Sequence, residues 1–139
     1  MKIDVSALEK AVGRLEESLK YLSSNMAKKD ESLKAQFRGA SIQAFEYTYE
    51  LTVKMIYRQL EQIVPNPDEL KGMPFMDVMR TAAQAGLVRD AGKFKEYREK
   101  RSRTAHTYDE ETAEDVAANL DGFLQDARFI LNELKRRNA

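Results

Sequence analysis

Val5, Leu8, Val12, Leu15, Leu19 and Leu22 follow one another at alternating spacings of three and four, which lines them up along one face of an α-helix. No other feature of the chain narrows its fold as much. Such a seam has to be covered by other helices, and one lasting only about three heptads fits an edge of an antiparallel bundle better than a long coiled coil. Two residues compete to start this helix. Ser6 with Glu9 matches the capping box, in which a hydroxyl and a carboxylate each satisfy a free backbone N–H, and Asp4 is the alternative cap.

The polar stretch 24–30 reads as a linker to an unusually long second helix over residues 31–64. Phe37, Phe45, Leu51 or Thr52, Met55, Ile56, Leu60 and Ile63 supply its buried face, Gly39 is a kink point, and Pro65 and Pro67 end it. Met73-Pro74 restarts a short helix with Phe75, Met76, Val78, Met79 and Ala82 on its apolar side, stopping at Gly86. Asp90 can cap a further helix over 91–104. Thr112-Ala113-Glu114-Asp115 resembles a capping box opening the last helix, whose stripe is Val116, Leu120, Phe123, Leu124, Ala127, Ile130, Leu131 and Leu134. The remaining linkers fall at 64–73 and 105–111, and no segment alternates as a strand would. The expected fold is all-α: an antiparallel up-and-down four-helix bundle with a short extra helix, one domain over residues 1–139.

Composition removes several function classes. With 23 Lys and Arg against 23 Asp and Glu, the chain lacks the global positive field of a nucleic-acid coat protein, so any polyanion site must be local. No cysteine is present, which fits a reducing cytoplasm and excludes thiolate chemistry. The first residues lack a signal peptide's apolar run, and nothing approaches the ~18 apolar residues of a membrane span. One histidine and no glycine-rich phosphate cradle point to neither a metal nor a cofactor.

The single histidine stands in Arg101-Ser102-Arg103-Thr104-Ala105-His106-Thr107-Tyr108. Imidazole both takes and gives protons near neutrality, while guanidinium stays charged and forks onto phosphate, so the pair suits phosphodiester or nucleotide chemistry. Five helical positions turn the chain by ~500°, so Arg101 and His106 converge only if the helix ends near Thr104 or Ala105. A structural histidine is the plainer alternative. Residues 89–103 carry seven cations against three acids, and residues 109–126 carry seven acids and no cation. The two runs either pair or leave a phosphate-binding surface. On the long helix Glu46, Glu50, Lys54, Arg58 and Gln62 form a ridge at i+4 spacing beside Tyr47, Tyr49 and Tyr57. It is either an exposed ladder with a Glu50–Lys54 pair or a face lining a cleft or partner.

Arg101-x4-His106-x-Tyr108, together with Phe45-Glu46-x-x-Tyr49-Glu50-Leu51-x-x-Lys54-Met55, the Gly86-Leu87-Val88 turn and Tyr97-Arg98, resembles the nucleotidyltransferase substrate-binding protein family, the HepT-like branch of the HEPN superfamily. The resemblance covers nearly the whole chain. It implies a small helical bundle, usually a homodimer, encoded beside a separate minimal nucleotidyltransferase with which it assembles. Several such pairs act as toxin and antitoxin, the HEPN subunit being a metal-independent ribonuclease silenced by nucleotides added to the motif tyrosine. Carried over, Arg101 binds the scissile phosphate, His106 transfers the proton and Tyr108 is the modification target. Glu46, Glu50, Lys54, Arg58, Arg98 and Ser102 then form the surrounding substrate or partner surface. Many active relatives have an amide or acid directly after the arginine, where this chain has Ser102. The alternative function is a non-catalytic subunit that binds a nucleotide or RNA and docks the transferase.

Overall fold

In the computed structural model, which describes residues 2–139, α1 (Ser6–Leu22) starts from Asp4 and not from the Ser6–Glu9 box. Asp4 Oδ1 accepts from the Ser6 backbone N–H at 2.9 Å and from its hydroxyl at 2.7 Å. The polar stretch that follows is no open linker. Ser24 accepts from the Ala27 N–H and caps a five-residue helix, α2 (Asn25–Lys29), which buries Ala27. Asp30 caps α3 (Glu31–Ile63), which runs through Gly39 as one helix of 33 residues. It stops because Val64 precedes Pro65 and takes the extended conformation that proline imposes on its neighbour.

A 3-10 turn at Pro67–Gly72 leads into α4 (Phe75–Gln84). Gly86, at φ +77°, closes α4: its N–H reaches Ala83 O and the Leu87 N–H reaches Ala82 O, the paired bonds of a Schellman end. Arg137 adds a third bond there, from Nη2 to Ala85 O at 2.6 Å. Asp90 caps α5 (Ala91–Arg103) through the Gly92 N–H. Beyond it the expected single last helix is two helices. Asp109, not Thr112, accepts from the Thr112 N–H and caps α6 (Glu110–Ala117), and α7 (Leu120–Arg137) begins after Asn119 in the left-handed conformation at φ +61°. Asparagine tolerates that region because its short polar side chain bonds locally.

Side-chain pairs give the directions of the long helices. Glu9 pairs with Lys135 and Glu16 with Arg128, so α1 and α7 are antiparallel. Thr48 Oγ1 donates to Ala11 O while Tyr21 packs on Phe37, so α1 and α3 are antiparallel too. Phe45 meets Phe123 and Gln59 meets Asn138, which makes α3 and α7 parallel. Tyr97 bonds Asp126 of α7 and Lys100 bonds Ala118 O, at the end of α6 just before α7, so α5 runs antiparallel to α7. The order up, down, up, down over α1, α3, α5 and α7 is that of an all-α bundle, with α4 packed beside α5.

The seam of α1 is used up inside the chain: Leu8, Val12 and Leu15 are buried, as is the whole expected stripe of α7. Phe123 is the hub, meeting Phe45 and Tyr97 edge-on with centroids 5.0 and 5.1 Å apart, geometry that the ring quadrupoles favour. Ile63 departs from expectation and is exposed, because it lies in the last turn of α3. A second, smaller cluster joins Ile42 of α3 to Ala113, Val116 and Ala117 of α6. Among the described residues no helix is long and apolar enough to cross a membrane.

Candidate functional site

The helix end that the Arg101–His106 spacing requires is present. α5 stops at Arg103, and Thr104–His106 forms a 3-10 turn stabilised by the Thr104 hydroxyl, which donates to Arg101 O at 2.7 Å. The same oxygen accepts from Arg101 Nη1 at 2.8 Å. Thr104, buried and three residues after Arg101, therefore ties the guanidinium to the turn that carries His106. Sequence reading missed this threonine, although its i+3 position was the available signal.

Across the gap α3 supplies two carboxylates. Arg101 Nε donates to Glu50 Oε1 at 3.1 Å, Nη2 bonds the same oxygen, and Nη1 lies 3.4 Å from Glu46 Oε2. The hydrogen bond to Glu50, the largest influence, pushes the guanidinium still further towards its charged form. The guanidinium is left about one-third exposed, enough for an anion to approach from outside. Glu50 thus pairs with Arg101 and not with Lys54. The ridge divides: Glu46 and Glu50 line the corner, while Lys54 and Arg58 extend into solvent without a partner among the described residues.

His106 is exposed at the end of the turn, its ring edge-on to Tyr108 with centroids 6.2 Å apart. Tyr108 is 87 % exposed. Ser102 points to solvent, and Arg98, one turn before it on α5, lies over the Phe75 ring at 4.7 Å. Tyr49 belongs to the core and not to a partner-facing ridge: it packs on Phe45 and Phe123, and burial pushes its phenol up to about 12. Only Tyr47 of the three helix tyrosines is well exposed.

The pairing reading of the charged runs holds in part. Arg89 bonds Asp126 at 2.6 Å, Arg103 bonds Asp115 at 3.1 Å, and Lys100 reaches Ala118 O at the end of α6. Burial holds the Lys100 ammonium below its ordinary pKa. Lys95 and Arg98 stay outside these ion pairs, so the basic surface is reduced but not erased. Among the described residues no group of three or more His, Asp or Glu side chains is placed to hold a metal ion.

The geometry defines a class: a helical bundle whose candidate site residues sit at one corner, where a helix end meets the long central helix. The chain belongs to the nucleotidyltransferase substrate binding protein like family, whose model matches residues 3–136. It is 35% identical over 139 residues to a Haemophilus influenzae protein named "Probable ribonuclease HepT", the match covering 99% of this chain and 95% of that one. Its structure is similar, at a TM-score of 0.90 and 35% identity, to a Haemophilus influenzae structure described as the fold of a substrate binding domain of a nucleotidyltransferase. That match covers 95% of this chain and 99% of the other. A structure from Thermus thermophilus is similar at a TM-score of 0.67 and 30% identity, over 93% and 99% of the two chains.

Proposed function

We propose that the chain is the helical partner of a separate minimal nucleotidyltransferase and a metal-independent endoribonuclease of the HEPN type. The observation that carries this reading is the corner itself: Arg101, fixed by Glu46, Glu50 and Thr104, stands one short turn from an exposed His106. The resemblance to a protein named as a ribonuclease supports it. Arg101 binds the phosphate and spreads its charge as the transition state forms. His106 takes the ribose 2′-hydroxyl proton, the 2′-oxygen bonds to phosphorus, the P–O5′ bond breaks, and the 5′-oxygen leaves with a proton returned by the imidazolium. The products are a 2′,3′-cyclic phosphate and a 5′-hydroxyl, a route closed to DNA.

RNA should therefore be cut with EDTA present while DNA is spared. His106→Ala and Arg101→Ala should each abolish cutting without unfolding the chain. Equal cutting by His106→Ala, or no cutting of structured and unstructured RNA by wild type, would move the assignment to the second reading. That reading is a non-catalytic docking and nucleotide-binding subunit, and one observation favours it: two carboxylates already neutralise Arg101.

Control falls to Tyr108. Its exposed hydroxyl attacks the α-phosphate of ATP held by the transferase, pyrophosphate leaves, and the attached nucleotide obstructs the corner and repels RNA. Incubation with the neighbouring transferase, ATP and Mg²⁺ should add one or more AMP masses, lost in Tyr108→Phe. Complex formation without a mass gain would leave docking alone. As a toxin and antitoxin pair the two proteins would work in the cytoplasm, which a cysteine-free chain suits.

A further inference from the structure

Next to the corner, α3, the Tyr108 turn and the start of α6 enclose an open cavity of about 640 Å³. Its size falls within the ~300–1,000 Å³ of small-molecule sites. Glu46 is the shared wall, lining the cavity while touching Arg101 at 3.4 Å. Whatever occupies the cavity is therefore a direct neighbour of anything held by Arg101.

Arg38 lines this cavity with its side chain only 13% exposed, yet its guanidinium makes no hydrogen bond among the described residues. Its contacts with Glu110 and Glu114 are both 3.9 Å, far longer than the ~2.7–2.9 Å of a charge-assisted bond. A forked donor is thus held at the wall with its bonds unmade. Gly39 lies in the same lining, and a Cβ there would meet nothing within 4 Å. Neither helix packing nor a left-handed backbone calls for glycine at this position, and its effect is to leave the cavity floor flat. Tyr108 offers an exposed ring at the rim, and Gln43 an amide.

Charge decides what fits. Glu46 and Glu110 outnumber Arg38 in the lining, so the cavity disfavours a phosphate and suits a neutral, planar group that both donates and accepts. We propose that it is a nucleobase subsite selective for guanine, with the base's phosphate directed to Arg101. Arg38 forks onto O6 and N7, as arginine does on guanine in nucleic acids, the Glu110 carboxylate accepts from N1–H and the 2-amino group, and Tyr108 stacks on the face. Uracil, with a single N–H between two carbonyls, offers each partner one bond where guanine offers two. The placement of the phosphate rests on the ribonuclease reading, but the base selectivity does not.

The test is calorimetric titration of the full chain with GMP and UMP, and with two uncleavable 2′-O-methyl RNA oligomers differing by one guanosine or uridine. Guanine should bind about tenfold or more tightly than uracil. Arg38→Gln should remove that preference. Gly39→Leu should fill the cavity and remove it too, while the melting temperature stays level or rises, since leucine is the better helix former at an open position. Preference in GMP alone identifies a free nucleotide as the ligand, and preference in the oligomer alone identifies RNA; either supports the subsite. No preference in either probe overturns it, as does a Gly39→Leu protein that discriminates like wild type. Discrimination without any RNA cutting would sink the ribonuclease reading and leave the subsite standing. Cutting that ignores base identity and Gly39→Leu would do the reverse.

Discussion

Arg101 is shared between Glu46 and Glu50, so on the proposed reading the carboxylates would set both its aim at a phosphate and its net charge. Glu50→Gln keeps a hydrogen-bond acceptor and deletes one negative charge. An uncleavable RNA should then bind several-fold more tightly at low salt, with the gain fading as ionic strength rises, in a fluorescence-anisotropy titration. An unchanged affinity at low salt would show that Arg101 does not meet the phosphate. Two other residues set a pH limit. Burial raises the phenols of Tyr97 and Tyr49, Tyr97 also through its bond to the Asp126 carboxylate, and Tyr49 reaches about 12. Unfolded tyrosine ionises near ~10, so the folded state binds the extra protons above that pH. Their contribution to stability is complete below about pH 10 and is lost as pH climbs through the folded values. Alkaline titration followed by phenolate absorbance should show two of the six tyrosines ionising last, together with loss of helicity.

At the scale of elements, glycines with opposite environments give opposite predictions. Gly86 needs its φ of +77°, and the Cβ of Gly86→Ala would be strained there and would lie 3.4 Å from Arg137 Nη2. That variant should lose about 1 kcal/mol or more, melting a few degrees lower. Gly122 sits exposed inside α7 with nothing within 4 Å of an added Cβ, so Gly122→Ala should gain up to about 1 kcal/mol in the same melting experiment. The long helices were legible because their apolar periods are long enough to be unambiguous. The break at Asn119 was not, since Val116, Leu120 and Leu124 keep helical spacing across it and asparagine is ordinary on a solvated helix face. The five residues of α2 are too few to show a period, leaving only the Ser24 cap as a clue. At the site, the need for a helix end after Arg101 followed from helical geometry. The pairing of Glu50 with Arg101 spans 51 residues, and no local rule ranks Arg101 above Lys54, four residues along α3, as the partner of Glu50. Thr104 tips the balance by fixing the guanidinium where both carboxylates reach it.

For the whole molecule, the apolar seam of α1 and the stripe of α7 are already taken up by the chain's own core, so they carry no case for the homodimer that the family resemblance implies. The homodimer proposal rests instead on the outer groove between α1 and α3, where Tyr47 stands 59% exposed beside Ala7, Ala40 and Ala44. Sedimentation at micromolar concentration should give about twice the 16.0 kDa chain mass, and Tyr47→Arg should return the single-chain value. A monomeric wild type without its partner would refute the dimer. α6 stands apart from this shared architecture: it rests on the small cluster around Ile42 and Val116, ends at the left-handed Asn119, and is otherwise fastened by side-chain contacts at its surface. A segment held this way opens locally, at far less free energy than global unfolding. In deuterium exchange the amides of residues 110–117 should lose their protection while those of α3 and α7 are still closed. The outer wall of the cavity, built in part by Glu110 and Ala113, would then keep its own clock, opening many times over within the lifetime of the folded bundle.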